Sequence, residues 1–183
     1  MTSIASREAR LRELHPFVDE ARQMQGWTFA HEPLPLGPPL PWDYEGRAQQ
    51  LVHDAASLFD MGTGGGEVLE RILDGFQGQA VATEEWTPNA PVAASRLRPL
   101  GVDVVQADSR KLPFAAESFD LALDRHEALL PAEAARILRP GARLLTQQVH
   151  PDYHHELRKF FPRMTVFEPH EDPRYLLEAH KPG

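Results

Sequence analysis

The spacing of apolar and polar positions changes near residue 57 and divides the sequence into two parts. From Ser57 onward, short apolar runs alternate with segments whose apolar residues recur at helical spacing. Strands that alternate with helices form a parallel sheet with right-handed crossovers, so this part predicts an α/β domain. The strands are predicted over 57–61, 79–83, 103–107, 120–124 and 143–149, and the helices over 66–75, 89–98, 131–138 and 152–161.

The last part of the sequence departs from this alternation. The runs RMTVFEP and RYLLEAHKP are both rich in strand-forming residues, and only HEDP separates them. A connection this short cannot hold a crossover helix. We therefore predict that the two runs pair antiparallel as a hairpin at one edge of the sheet.

The beginning of the chain has a third pattern. Residues 5–24 predict an amphipathic helix, which Pro16 should kink near its middle. The following HEPLPLGPPLPWDYEG is rich in proline and predicts an extended, stiff connector. A second helix over about 44–56 leads into the α/β part. We therefore expect an N-terminal segment over 1–43 and a main domain over 44–183.

Composition limits the classes of protein that fit these patterns. The chain has 183 residues, of which 42% are hydrophobic and 25% charged, as expected for one ordinary soluble domain. It has no cysteine, which excludes disulfides, thiolate metal sites and cysteine nucleophiles and fits a reducing cytoplasm. No apolar run approaches the roughly 18 residues that cross a bilayer, and MTSIASREARLRELH lacks the apolar core of a signal peptide. We expect a cytoplasmic protein without a membrane partner.

The stretch LFDMGTGGGEVLERIL, Leu58 to Leu73, carries the clearest chemical signal. A short apolar strand, a glycine turn and a helix open a nucleotide-type βαβ unit, with the helix N-terminus directed at the ligand. The glycines follow G-x-G-x-G from Gly62, and Glu67 stands where a dinucleotide fingerprint would place its third glycine. No Gly-Lys-Ser/Thr follows, which excludes a P-loop.

The acid Asp60, the glycines at 62, 64 and 66, and an acid at the end of the next strand together resemble the class I S-adenosylmethionine-dependent methyltransferases, specifically their small type 11-like members. The resemblance runs from about Tyr44 to the C-terminus and includes the closing hairpin. It implies a Rossmann-like, doubly wound, seven-stranded sheet that is mostly parallel with an antiparallel C-terminal hairpin strand, and helices on both faces. A glycine-rich turn in another α/β protein is the alternative.

The resemblance also implies which residues contact S-adenosylmethionine as the cofactor. The bare backbone of Gly62, Gly64 and Gly66 would lie against the methionine part. Glu84, 22 positions after Gly62, would accept hydrogen bonds from the ribose hydroxyls, and the neighbouring Glu85 is the alternative.

Further cofactor contacts are implied around the turn and after the third strand. Asp108 and Ser109 would contact the adenine through a carboxylate and a backbone NH. Asp60 would organise the glycine turn or reach the methionine amino group through water, and its alternative is an acid that only caps the loop. Thr63 would offer its hydroxyl or N–H to the cofactor carboxylate.

Titratable groups follow the fourth strand, where the methyl group would point. The sequence there is Asp124-Arg125-His126-Glu127, with Asp124 assigned to the cofactor and Arg125 to the acceptor. A histidine that titrates near neutrality suits removal of a proton from the acceptor, and Glu127 could orient it or act instead. The alternative is a solvated loop that opens a helix, with catalysis by proximity alone.

The predicted fifth strand ends in polar residues, which is unusual for a buried parallel strand. The amides of Gln147 and Gln148 must bond to one another or face a polar ligand, and their position at the strand end favours a substrate. Trp27 and His31, in the proline-rich connector, predict a lid that closes the acceptor pocket. The alternative is an arm packed elsewhere. The histidines at 150, 154 and 155 complete no known metal spacing, so no metal is expected.

These observations predict methyl transfer from S-adenosylmethionine to a small-molecule acceptor. Two alternatives stay open: methylation of RNA or protein, and a non-catalytic S-adenosylmethionine-binding protein of the same fold. The net charge of −8 makes a nucleic acid partner unlikely on electrostatic grounds. The sequence also lacks Asn/Asp-Pro-Pro-Tyr/Phe after the fourth strand. Neither the acceptor atom nor the oligomeric state follows from the sequence.

Overall fold

The computed structural model describes residues 4–24, 40–149, 153–167 and 174–183. One seven-stranded sheet forms the centre of the described part. Its strands are β1 Ser57–Met61, β2 Gln79–Thr83, β3 Val102–Val105, β4 Phe119–Arg125, β5 Leu138–Gln148, β6 Arg163–Phe167 and β7 Tyr175–His180. The α-helices are α1 Ile4–Gln23, α2 Tyr44–His53, α3 Glu67–Ile72, α4 Ala90–Leu97, α5 Pro131–Ile137 and α6 Tyr153–Leu157, and a short 3₁₀ helix spans Arg98–Leu100.

The strand order is β3-β2-β1-β4-β5-β7-β6. The first five strands pair in parallel, whereas β7 lies antiparallel between β5 and β6. This arrangement confirms the predicted doubly wound sheet and its antiparallel hairpin. The carboxyl ends of β1, β2 and β4 consequently meet at one edge, where open α/β sheets bind their ligands.

Both faces of the sheet are covered, because neighbouring residues of a strand point to opposite sides. Leu58 belongs to a core with α2, α3 and α4, and Phe59 belongs to a second core with α5 and α6. Phe59 also stacks on Phe119 with ring centroids 5.3 Å apart. Two buried faces explain why the parallel strands read as apolar runs in the sequence.

The element boundaries follow the predictions closely in β1 and β2 and less closely elsewhere. β5 begins at Leu138 rather than at 143, because its pairing with β4 already starts opposite Phe119 and continues after an irregularity before Leu121. Gly141, at φ +80°, provides the turn conformation inside this extension. α2 ends at His53 and α6 is confined to Tyr153–Leu157.

The N-terminal helix is confirmed as α1, and Pro16 lies within it. Those of its side chains that the structure describes are exposed, including Leu11 at 49% and Val18 at 43%. Residues 25–39, which include Trp27, His31 and most of the proline-rich connector, lie outside the described residues, so the division at residue 43 and the lid stay predictions. No helix within the described ranges has the length and apolar character needed to cross a membrane.

Candidate active site

A cavity of about 350 Å³ opens at the carboxyl ends of β1, β2 and β4. This volume falls within the usual range of small-molecule sites. Tyr44, from the first turn of α2, closes one side of the cavity. Seven of the sequence-predicted site residues line it: Asp60, Gly62, Thr63, Glu84, Arg125, His126 and Glu127.

The glycine turn after β1 depends on backbone conformations that side chains disfavour. Gly62, Gly64 and Gly66 have φ values of +65°, +64° and +84°. A Cβ on Gly66, the N-cap of α3, would come within 2.9 Å of the Leu97 side chain. A Cβ on Gly62 would collide with the carboxylate of Glu127. The glycines therefore serve both the turn itself and the close approach of a group above it.

Glu84 joins the glycine turn to the end of β2. Its Oε2 accepts the backbone N–H of Gly64 at 2.7 Å, and its Oε1 accepts the N–H of Trp86 at 2.8 Å. Burial raises the pKa of Glu84. Each oxygen keeps a second lone pair for a ligand hydroxyl. Glu85 is exposed and does not line the cavity, so the geometry favours Glu84 as the ribose acid.

Two buried hydroxyls, those of Tyr44 and Thr63, belong to residues that line the cavity. Tyr44 and Thr63 form no side-chain hydrogen bond of ordinary geometry with the described residues. Burial raises the pKa of Tyr44 well above its usual value, so this hydroxyl is a neutral donor. Because a buried polar group without a partner costs about 1–3 kcal/mol, a polar ligand would stabilise the Tyr44 hydroxyl, whereas the Thr63 hydroxyl is close enough to interact with the Asp60 carboxyl.

Asp60, like Glu84, is a buried acid that lines the cavity. Burial raises the pKa of Asp60 to about 7, and the nearby Glu84 adds to the rise. The Thr63 hydroxyl offsets part of it. A ligand that brings a positive charge to this wall would therefore be bound by a carboxyl that becomes ionised.

Asp124 lies behind the cavity wall and does not line it. Its carboxylate accepts hydrogen bonds from the Thr146 hydroxyl at 2.6 Å, the Gln148 amide at 2.6 Å and the backbone N–H of Glu127 at 3.1 Å. These contacts close the turn after β4, in which His126 adopts φ +68°. Asp124 thus shapes the loop that carries His126 and Glu127. Its predicted contact with the cofactor stays a prediction without support from this geometry.

The two glutamines of β5 find partners within the chain. The Gln148 amide also donates to the Glu127 carbonyl at 3.0 Å. Oε1 of Gln147 accepts the indole N–H of Trp42 at 2.8 Å, and Nε2 of Gln147 lies 2.7 Å from Nε2 of His126. The predicted bond between the two amides is not among these contacts, and each amide instead bonds to other residues of the described chain. Their predicted contact with a substrate stays untested.

The acceptor-facing groups carry opposite charges. The Arg125 guanidinium lies 5.9 Å from the ring centroid of Tyr44. The carboxylate of Glu127 forms no hydrogen bond or ion pair within the part of the chain that the structure describes, and it lies over Gly62. Partial burial, together with Arg125 and Arg174, lowers the pKa of His126. His126 is accordingly neutral near pH 7.

The predicted adenine residues lie outside the cavity lining. The Asp108 carboxylate accepts the backbone N–H of Arg110 at 2.8 Å and its Nε at 2.9 Å, and this pairing lowers the pKa of Asp108. Ser109 is 1% exposed. Their role at an adenine stays a prediction, and Asp108 would have to share its carboxylate with Arg110.

The sequence predicts Tyr44 only as the start of a helix and does not place it in the site. Trp42 is expected among the aromatic residues of the lid, but its hydrogen bond to Gln147 is not predicted. The sequence does carry a signal for Tyr44, because the preceding Asp43 is a favoured N-cap residue. Asp43 caps α2 by accepting the N–H of Gly46 at 3.0 Å, which places Tyr44 in the first turn. No local signal places Trp42 beside Gln147, because the two residues are 105 positions apart.

Comparison with known families agrees with this geometry. The family model described as a methyltransferase domain matches residues 59–146, which include the glycine turn, Glu84 and the loop after β4. This match supports the predicted resemblance to the class I S-adenosylmethionine-dependent methyltransferases over just under half of the chain. The match ends within β5, so α2, with Tyr44, and the C-terminal hairpin lie outside it.

The chain is 29% identical over 125 residues to the ubiquinone/menaquinone biosynthesis C-methyltransferase UbiE of Psychromonas ingrahamii (strain DSM 17664 / CCUG 51855 / 37). The alignment covers 60% of this chain and 49% of that protein. The chain therefore spans about half the length of the curated relative it matches.

Solved structures share the fold of this chain. The [4+2]-cyclase SpnF superposes with a TM-score of 0.63 at 17% identity, over 75% of this chain and 79% of that chain. The N-methyltransferase NodS of Bradyrhizobium japonicum WM9, in complex with S-adenosyl-L-homocysteine, gives 0.62 at 13% identity over 76% and 86%. At such identities the likeness concerns the fold alone, and the cyclase shows that this fold serves more than one reaction.

The chemistry of the residues that line the cavity fits S-adenosylmethionine. The cofactor carries two positive charges, a carboxylate and two ribose hydroxyls. Gly62 leaves the cavity wall free of a side chain, the acids Asp60 and Glu84 suit the cationic and hydroxyl groups of the cofactor, and the buried Tyr44 hydroxyl suits its carboxylate. The residues present therefore fit the family's cofactor.

Proposed function

We propose that this chain transfers the methyl group of S-adenosylmethionine to a small-molecule acceptor. The supporting observation is that one cavity is lined both by the cofactor-type groups of β1 and β2 and by the charged loop after β4. The relative UbiE is a C-methyltransferase of ubiquinone and menaquinone biosynthesis, which supports a small acceptor.

The residues of β1, β2 and the glycine turn would bind S-adenosylmethionine and orient it. The turn over Gly62, Gly64 and Gly66 would hold the methionine part, and Glu84 would accept the ribose hydroxyls. Asp60 would stabilise the ammonium group, directly or through water. When bound, the cofactor supplies an electrophilic methyl group, and displacement from a sulfonium needs little covalent help from protein. Positioning and exclusion of water are therefore the main contributions of this wall.

The loop after β4 would face the acceptor. Arg125 is exposed at the cavity rim and offers a positive charge to an acidic or electron-rich acceptor. An acceptor that must lose a proton has Glu127 within the cavity as a general base, because this carboxylate is not engaged by another described residue. His126 completes this side of the cavity.

The N-terminal segment would close the acceptor side. Trp42, which follows the proline-rich connector, is half-buried and bonded to Gln147 next to His126. The connector therefore ends at the acceptor side of the cavity. A segment anchored there can exclude water during transfer.

Two further functions fit the fold less well. Methylation of RNA or protein would use the same cofactor groups, but the net charge of −8 disfavours a polyanionic partner. A binding protein without turnover is the second, and the cyclase SpnF illustrates that the fold alone does not fix the reaction.

Calorimetry followed by product detection tests the proposal. The wild-type protein should bind S-adenosylmethionine, whereas Gly64→Val should lose binding, since a branched side chain would occupy the ligand's place. Gly75→Val is the matched control, because Gly75 also has a left-handed φ of +77° but faces open space.

Cofactor labelled at the methyl group, incubated with a metabolite extract, should yield a labelled small molecule by mass spectrometry. Label found only in RNA or protein would contradict the small-molecule acceptor, and binding without any labelled product would favour the non-catalytic alternative.

A further inference from the structure

Three side chains from distant parts of the sequence form a hydrogen-bonded row that ends in the active-site cavity. The indole Nε1 of Trp42 lies 2.8 Å from Oε1 of Gln147. Nε2 of Gln147 lies 2.7 Å from Nε2 of His126. Gln147 is 2% exposed, so water does not compete for its amide.

Trp42 fixes the orientation of the Gln147 amide. An indole N–H is a donor only, so the atom of Gln147 that faces Trp42 must be the carbonyl oxygen. The opposite orientation would place two donors against each other in a buried position. The NH₂ group of Gln147 therefore points to His126.

The orientation of Gln147 in turn fixes the protonation of the ring. An amide NH₂ group can only donate, so Nε2 of His126 must accept and carries no proton. A neutral imidazole then holds its single proton on Nδ1. A backbone hydrogen bond also holds the two residues side by side. The N–H of His126 donates to the carbonyl of Gln147 at 2.9 Å.

We infer that Trp42 and Gln147 are positioning residues that hold His126 in its Nδ1–H form, so that His126 donates a hydrogen bond to an oxygen of the methyl acceptor instead of taking a proton from it. The catalytic half of this inference rests on the proposed methyl transfer. The tautomer does not, because it follows from the protein's own hydrogen bonds.

The charges around His126 agree with a donor role. Arg125, from its own loop, and Arg174, just before β7, both lie close enough to affect its titration, and each disfavours a further positive charge on the ring. Glu127, the next residue in the chain, lines the same cavity and provides a basic group there. A neutral N–H donor near two guanidinium groups suits an acceptor that carries a phenolic, enolic or carbonyl oxygen near the methylated atom.

The tautomer can be read directly by NMR of the imidazole nitrogens in the cofactor-free protein. Long-range ¹H–¹⁵N spectra distinguish a neutral Nδ1–H ring from a neutral Nε2–H ring, and the His126→Gln variant assigns the signals. We expect the wild-type ring to be Nδ1–H at neutral pH. A wild-type ring that is Nε2–H, or doubly protonated, would overturn the inference.

Two variants test the row itself. Gln147→Glu replaces the donor by an oxygen, so His126 should change to the Nε2–H form and titrate at a higher pH. Trp42→Phe keeps the ring but removes the indole N–H, so Gln147 is free to turn and the single tautomer should be lost. An unchanged Nδ1–H spectrum in Gln147→Glu would contradict the control by Gln147, and an unchanged spectrum in Trp42→Phe would remove Trp42 from it.

Kinetics separate positioning from simple stability. Gln147→Glu and Trp42→Phe should each bind S-adenosylmethionine with an affinity within about twofold of wild type. Each should lower kcat by roughly tenfold or more, because a hydrogen bond to a developing charge would be lost. Gln148→Glu is not a suitable control, because Gln148 donates to Asp124. Gln50→Glu, on the exposed side of α2, is the matched control and should leave kcat unchanged. If no acceptor is ever methylated, the proposed function fails while the NMR result still decides the tautomer.

Discussion

Glu84 and Gly64 are joined by a hydrogen bond of 2.7 Å between a carboxylate oxygen and a backbone N–H. The group assigned to the ribose hydroxyls therefore also holds the glycine turn in place. A change at Glu84 should consequently affect both the ligand and the loop, whereas a change at a purely ligand-binding residue would affect the ligand alone.

The ribose acid can be separated from its neighbour. Glu84→Gln keeps the size of the side chain but loses the charge, and we expect the affinity for S-adenosylmethionine to fall roughly 10- to 100-fold, since charge-assisted hydrogen bonds contribute about 1.5–3 kcal/mol. Glu85→Gln should bind almost as wild type because Glu85 is exposed. Calorimetry on both variants is the measurement. The reverse ranking would move the ribose contact to Glu85.

The space above Gly62 gives a second prediction. Gly62→Ala should lower the free energy of unfolding by more than the roughly 1 kcal/mol that a left-handed alanine costs, because the new Cβ would collide with Glu127. Gly75→Ala has the same backbone strain without a neighbour and is the control. Urea unfolding of both variants measures the difference. Adding Glu127→Ala to Gly62→Ala should recover part of the loss, and failure to do so would place the strain elsewhere.

Cofactor binding should be linked to protons through Asp60. Its carboxyl has a pKa near 3.8 in an unfolded chain and about 7 in the folded protein, so in the cofactor-free protein stability falls as pH rises between these values. A cationic ligand lowers the folded pKa again. We therefore expect S-adenosylmethionine to bind more tightly at pH 8 than at pH 6 and to release protons when it binds below pH 7.

Calorimetry in two buffers with different ionisation enthalpies measures the protons released. Asp60→Asn should remove most of the release and flatten the pH dependence of affinity. A release that is undiminished in this variant would assign the linked proton to another group, with Glu84 the next candidate because burial raises its pKa as well.

The hydrogen bond from Thr146 to Asp124 predicts a pH-dependent loss of stability. Burial raises the pKa of Asp124 to about 7, and the Thr146 hydroxyl opposes that rise. Thr146→Val should therefore cost about 1.5–3 kcal/mol at pH 8.5, where Asp124 is ionised, and less at pH 5.5. Thr165→Val, on the exposed face of β6, should change stability little at either pH. An equal cost for Thr146→Val at both pH values would mean that Asp124 does not titrate in this range.

Removal of the N-terminal segment tests the proposed lid. Deleting residues 1–39 leaves Trp42 and the capping residue Asp43 in place. The truncated protein should keep its thermal transition and its affinity for S-adenosylmethionine within a few-fold but lose methyl transfer, because water would enter the acceptor side. Full turnover after truncation would show that the segment is not a lid.

The sequence predicted the elements whose signals are local. β1 and β2 form where their apolar runs predict them, and the glycine turn could be assigned because left-handed backbone favours glycine. The five-residue difference at the start of β5, residue 138 against 143, arises from pairing with β4 rather than from its own sequence. Pairing across a sheet is set by the partner strand and has no marker in the strand itself.

The residues of the site that stand at strand ends were predictable from the sequence, whereas the contacts between distant residues were not. Glu84 and the loop at His126 stand at strand ends, where chain order alone places them. The roles of Gln147 and Trp42 depend on contacts between residues far apart in the chain. The sequence showed that the amides of β5 needed partners but could not name Trp42, because the orientation of an indole follows from packing and not from its neighbours in sequence.

The position of β7 also affects the order in which the protein can become functional during synthesis. β7 follows β6 in the chain but lies between β5 and β6, so translation delivers the middle of these three strands last. Until residues 175–180 leave the ribosome, β5 has an open side along Leu144 to Gln148. A nascent chain at that stage presents unpaired backbone N–H and C=O groups along this edge to its surroundings. The turn that carries His126 bonds to the same strand through Gln147, so we expect this turn to become fixed later in synthesis than the glycine turn after β1.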